Sequence, residues 1–119
     1  MAGQNEKGVK RIINAIFFSI AGFKATWQHE EAFRQEVLLL LVSAPLAIWL
    51  TDDSVERVLL IGSLVGVLLV ELLNSAVEAA IDRIGFERHE LSGRAKDIGS
   101  AAVMLSLALA ALTWMLILI

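Results

Sequence analysis

Glu71-Leu72-Leu73-Asn74-Ser75-Ala76-Val77-Glu78 is the stretch on which the reading of this chain turns. It follows an unbroken apolar run at 58–70 and leads into Ala79, Ala80 and Ile81. In a helix, residues three, four and seven apart share a face. Glu71, Asn74, Ser75 and Glu78 therefore form one polar stripe, with Leu72, Leu73, Val77, Ala80 and Ile81 around the rest. A charged side chain at the bilayer centre costs about 2.5–3.5 kcal/mol even on the lenient insertion scale. Two carboxylates and an amide on such a helix need a partner helix, a metal or a water-filled site. A structural polar contact between helices is the plain alternative; a functional site is the default reading for ionisable groups in a span.

The whole composition points to a membrane. Of 119 residues, 57% are hydrophobic, and the mean hydropathy is +0.71. A soluble domain of this size needs more polar surface. The length allows one domain. The net charge of -3 offers no basic balance to attract nucleic acid. With no cysteine there is no disulfide, thiolate metal site or thiol nucleophile.

Outward from the stripe, the chain divides into four segments. At 9–27, Val9, Ile13, Ile16, Ile20, Phe23 and Trp27 recur at helical spacing, with Lys10, Arg11, Asn14 and Lys24 off that line. This is the pattern of an amphipathic helix lying in the membrane interface. A signal peptide is the rival, but Asn14 and Ser19 interrupt its apolar patch and no clear cleavage site follows. A charged elbow at 28–36 leads to a first span at about 32–50, which contains Pro45 and ends near Trp49. The second span covers about 54–81; Gly62 and Gly66 in it permit close helix packing. If about 20 residues cross, Glu71 falls in the inner part of the membrane and Glu78 near its surface. The third span, about 93–119, is free of charge from Ile98 onward. The expected fold is an all-α membrane protein with three transmembrane helices and an N-terminal surface helix.

Basic residues set the orientation. Lys7, Lys10, Arg11, Lys24 and Arg34 precede the first span, and Arg83, Arg88, Arg94 and Lys96 precede the third, whereas the loop between the first two spans has only Arg57. The N-terminus and second loop are expected in the cytoplasm. The elbow, the inner end of the second span and the second loop then meet on the side where nucleotides are. Glu30, Glu36, Glu71, Glu78 and Asp97 gather there. Two of them suit a hard cation such as Mg²⁺, which often shares its oxygen ligands with substrate phosphates, and another suits a general base. His29 and His89 lack zinc-ligand spacing. Arg94 and Lys96 suit phosphate, and Ser92 or Gly93 offers backbone N–H groups at a helix start, although topology alone places basic residues at this boundary. No G-x-x-x-x-G-K-[ST] loop or protein-kinase signature occurs.

Three motifs carry a resemblance. ELLNSAVEAAID at 71–82, AFRQE at 32–36 and HELSGRAKD at 89–97 resemble the small bacterial membrane diacylglycerol kinases. The likeness runs from about Arg11 onward. It implies a homotrimer with sites shared between subunits, in the bacterial inner membrane. It also implies an enzyme that transfers the γ-phosphate of MgATP to diacylglycerol, giving phosphatidic acid. By motif position, Glu71 is implied as the base for the lipid's primary hydroxyl, with Asn74 ordering the site and Glu30 and Glu78 holding Mg²⁺. ATP contacts are implied for Arg11, Phe18, Glu30 and Glu78, and for Glu87, Arg88, His89, Lys96 and Asp97. Lipid contacts are implied along the surface helix at Arg11, Ala15, Ser19, Lys24 and Trp27, and at the elbow from Ala32 and Phe33 through Arg34 and Gln35 to Glu36. Trp49, Arg57, Glu71 and Ser100 complete the implied lipid set. Phe18 stands where the family pattern has a tyrosine, and Ile16 where it has a small residue. Polyprenol phosphorylation, as in related family members, is the neighbouring activity. A small cation-conducting protein using Glu71 and Glu78, or a purely structural subunit, are the readings from other classes.

Overall fold

The computed structural model describes residues 7–85 and 89–119, folded as four helices: α1 Gly8–His29, α2 Glu31–Leu50, α3 Ser54–Ile84 and α4 Glu90–Leu118. No strand occurs among the described residues. The last three helices are each long and apolar enough to cross a membrane. At about 1.5 Å per residue, the 31 residues of α3 outrun a hydrocarbon core of about 30 Å.

Local chemistry explains where each helix stops. Glu30, extended at φ -120° and ψ 105°, separates α1 from α2 as the single non-helical residue between them. Its N–H closes α1 on Thr26 O at 2.9 Å. Arg34 then donates to Trp27 O at 2.5 Å and Gln28 O at 3.4 Å, satisfying carbonyls that the end of α1 leaves free. At the other end of α2, Arg57 donates to Thr51 O at 2.8 Å and Ile48 O at 2.7 Å. Asp53 caps α3, its Oδ1 accepting from the N–H groups of Val55 at 2.8 Å and Glu56 at 3.1 Å. Pro45 lies inside α2, where the membrane context tolerates it.

Two boundaries differ from the periodicity. α3 continues to Ile84, where the Gly85 N–H closes the last turn on Ile81 O at 3.2 Å. α4 begins at Glu90 because His89 Nδ1 accepts from the Leu91 N–H at 3.1 Å. An imidazole nitrogen here does the work usually given to a Ser or Asp oxygen.

α3 is the hub. It packs against each of the other three helices, whereas neither α1 nor α2 contacts α4 among the described residues. The core is small: Leu64 and Val67 of α3 and Ala110 of α4, flanked by Leu40 and Trp114. Trp114 Nε1 also donates to Leu60 O at 3.0 Å, pinning α4 to α3. The helices form a layer of 46 × 42 × 21 Å. Its apolar residues stay largely exposed, Leu105 of α4 by 73%, which only lipid or other apolar helices can cover.

Candidate active site

The site is assembled where the end of α1, the elbow and the last three turns of α3 converge. α1 runs beside α3 and leaves a cleft of about 700 Å³, lined from α1 by Ser19, Gly22, Phe23, Thr26 and His29 and from α3 by Leu72, Ser75, Ala76, Glu78 and Asp82, with Glu30 between them. The polar side chains of α1 on this cleft are satisfied by their own helix. Ser19 Oγ donates to Ala15 O at 2.8 Å and Thr26 Oγ1 to Gly22 O at 2.9 Å, while His29 Nδ1 bonds Ala25 O at 2.8 Å. Such bonds to the preceding turn let hydroxyls and imidazoles sit in apolar surroundings.

The acidic groups are held differently. Because Glu30 breaks the helix, its side chain reaches α3, where Ser75 Oγ donates to Glu30 Oε1 at 3.1 Å. One turn apart on α3, Asn74 Nδ2 donates to Glu78 Oε1 at 3.2 Å. Glu30 and Glu78 thus enter one cleft, each with one oxygen fixed by a neutral donor.

Glu71 stands apart from them in burial. It is 4% exposed, and its Oε2 has no hydrogen-bond partner among the described residues. The charges of Glu30 and Glu78 act on it, and Glu71 in turn acts on Glu36 of α2. Glu36 Oε2 and Asn74 Oδ1 are likewise buried without partners. A buried carboxylate oxygen left unbonded is costly and is chemically available to accept a proton.

On the rim, Lys96 Nζ of α4 meets Asp82 Oδ1 of α3 at 2.9 Å. The pair links the start of α4 to the cleft. Asp97 lies beside Lys96 on exposed surface, as does Ser100. A second groove of about 470 Å³ follows α1 past Arg11, Ala15, Ile16, Ser19 and Phe23. Ser19 and Phe23 line both cavities.

The residues singled out from sequence end in different places. Glu30 and Glu78 line the cleft, with Asn74 bonded to Glu78 and Glu71 within reach of both charges, and Arg11, Ala15 and Ser19 line the second groove. Phe18, Lys24 and Trp27 are exposed on α1, and Ala32 and Gln35 are exposed on α2. Phe33 is buried, and Arg34 is committed to the end of α1. His89 caps α4 beside a smaller cavity with Ile84, Gly85 and Ser92. Trp49 and Arg57 are not brought to this site: Arg57 lies about 21 Å from Glu71 along α3. Glu87 and Arg88 lie outside the described residues. Asp82 escaped the sequence reading of the site, and Ser75 entered it only as a member of the polar stripe. Asp82 follows Glu78 by one turn, so helical spacing alone could have found it.

No group of three or more His, Cys, Asp or Glu side chains is arranged to hold a metal among the described residues. Glu30 and Glu78 do form an all-oxygen pair in one cleft. That suits Mg²⁺, which takes one or two protein carboxylates and completes its shell with water and phosphate.

Comparison with known proteins identifies the family. The profile of the family described as prokaryotic diacylglycerol kinase matches residues 17–118. A protein named diacylglycerol kinase from Escherichia coli (strain K12) is 52% identical over 114 residues, covering 96% of this chain and 93% of its own. One of the same name from Pseudomonas aeruginosa is 48% identical over 116 residues, covering 98% and 94%. Another from Helicobacter pylori (strain J99) is 43% identical over 108 residues, covering 91% and 84%. On this likeness over nearly its full length, the chain belongs to the prokaryotic diacylglycerol kinase family.

Proposed function

We propose that this protein is an ATP-dependent lipid kinase that phosphorylates the primary hydroxyl of diacylglycerol to give phosphatidic acid, with Glu71 as general base. The observation that carries this reading is the buried Glu71 Oε2 without a hydrogen-bond partner, beside a cleft holding Glu30 and Glu78.

A diacylglycerol hydroxyl sits at the membrane interface, and ATP sits in water. α3 crosses that boundary with carboxylates on both sides of it. Glu71 accepts the hydroxyl proton as the lipid oxygen bonds to the γ-phosphorus, and the bond from that phosphorus to the β-bridging oxygen breaks, releasing ADP. Phosphoryl transfer needs positioning and charge neutralisation more than covalent help. Mg²⁺, when bound, neutralises phosphate charge, and Glu30 and Glu78 would hold it. Ser75 and Asn74 orient those two carboxylates through the bonds already described. Lys96, Arg11, Phe18, His89 and Asp97, with Glu87 and Arg88, are assigned to the nucleotide. The groove past Ala15 and Ser19 is assigned to the lipid, with Lys24, Trp27 and the elbow at its entrance. Trp49, Arg57 and Ser100 are assigned to lipid contacts beyond it.

The exposed apolar faces of the flat helix layer favour assembly with further copies. We assign a homotrimer, multi-pass in the bacterial inner membrane with its N-terminus in the cytoplasm, the orientation that the basic residues favour. The test is conversion of labelled ATP and diacylglycerol to phosphatidic acid by the purified protein in lipid micelles. No ATP-dependent labelling of lipid would end the proposal. Preferential labelling of undecaprenol in competition would move the substrate to a polyprenol.

A further inference from the structure

Asn74 is held from two sides. Its Nδ2 donates to Glu78, and its Oδ1 is buried with no partner among the described residues. The surface facing that oxygen is the backbone of α4 at Gly99. A Cβ built on Gly99 would overlap Asn74 Oδ1 and lie 3.2 Å from Asn74 Cγ. Gly22, Gly62, Gly66 and Gly93 have open space where a Cβ would go. Gly99 does not need glycine for its backbone either, because it lies inside α4 and is not among the glycines with a left-handed φ. Glycine inside a helix is less favourable than alanine by about 1 kcal/mol. The helix forgoes that stability at a position where Asn74 occupies the space.

We propose that Gly99 is a positioning residue for phosphoryl transfer, its bare Cα letting the Asn74 amide lie against α4 in the rotamer that aims Nδ2 at Glu78. This inference rests on the reading of Asn74 and Glu78 as members of the site. An added methyl group meets the movable end of a side chain, so α3 and α4 need not separate. The amide swings aside instead, and Glu78 Oε1 loses its donor in the cleft. The change therefore falls on catalysis rather than on folding.

The experiment is a double-mutant cycle on the full chain in lipid micelles: Gly99→Ala, Asn74→Ala and the two combined. kcat, KM for each substrate and the thermal unfolding midpoint are measured. Alanine at both positions is sterically sound, since Asn74 Cβ lies 3.9 Å from the added carbon. Gly99→Ala should lower kcat by about 100-fold, the scale of an ångström-level misplacement, with both KM values and the midpoint held. The combined variant should be no slower than Asn74→Ala alone. Parental kcat in Gly99→Ala beside an impaired Asn74→Ala overturns the role of Gly99. So do losses that multiply in the combined variant. Parental kcat in Asn74→Ala instead overturns the underlying assignment of Asn74. If Gly99→Ala does not fold alone but folds with Asn74→Ala, the clash falls on folding rather than on catalysis and the positioning role is overturned. If neither folds, Gly99 serves helix packing and the proposal fails.

Discussion

Glu71→Gln should leave the protein more stable and nearly inactive. Glu71 is the eighteenth residue of α3, about 26 Å from Ser54 along the axis. If α3 enters the hydrocarbon at Ser54, that lies within the last few ångströms of a core of about 30 Å. Its side chain is 4% exposed, Oε2 has no partner among the described residues, and two like charges act on it. Glutamine keeps the shape and removes the charge. A charge at mid-bilayer costs about 2.5–3.5 kcal/mol; near the boundary the relief should be smaller, about 1–2 kcal/mol. Loss of a general base lowers kcat by about 10²–10⁴-fold, a barrier increase of about 3–5 kcal/mol. The assay pairs labelled-phosphate transfer to diacylglycerol with denaturant unfolding in the same micelles. Turnover equal to the parent would remove Glu71 as base. A fall in stability would refute the reasoning from an unbonded carboxylate oxygen, since it would mean that both oxygens are structurally engaged.

Asp53→Ala, which removes the acceptor for the Val55 and Glu56 N–H groups, should destabilise the fold by about 0.5–2 kcal/mol in the same unfolding assay, with kcat unchanged. Trp114→Phe deletes the bond to Leu60 O and should lower stability by about 0.6–1.7 kcal/mol, again without changing KM. Asp82→Asn weakens a pair with Lys96 whose side chains are 41% and 45% exposed. The stability change should stay below about 1 kcal/mol. A larger loss would mean that the pair holds α4 to α3.

The sequence by itself determined the features that depend on neighbours along the chain. Hydropathy over about 20 residues defines a span, so α2, α3 and α4 were legible, and helical periodicity exposed both the apolar face of α1 and the stripe from Glu71 to Glu78. Helix ends were less legible. α4 starts at Glu90 because an imidazole caps it, and histidine is a weak advance signal for a cap.

Tertiary structure decided which of many acidic residues share a site. Glu30 meets Ser75 across 45 positions of sequence, and Lys96 meets Asp82 across a loop. The stripe also split once folded: Glu71 is buried, whereas Glu78 opens to the cleft. Arg57 turned to the carbonyls at the end of α2. Asn74 fills the space that a Cβ on Gly99 would take. Periodicity assigns a residue to a face of its own helix, but only packing of the helices determines what that face meets. Hydrogen bonds and steric exclusion act over a few ångströms between residues far apart in the chain.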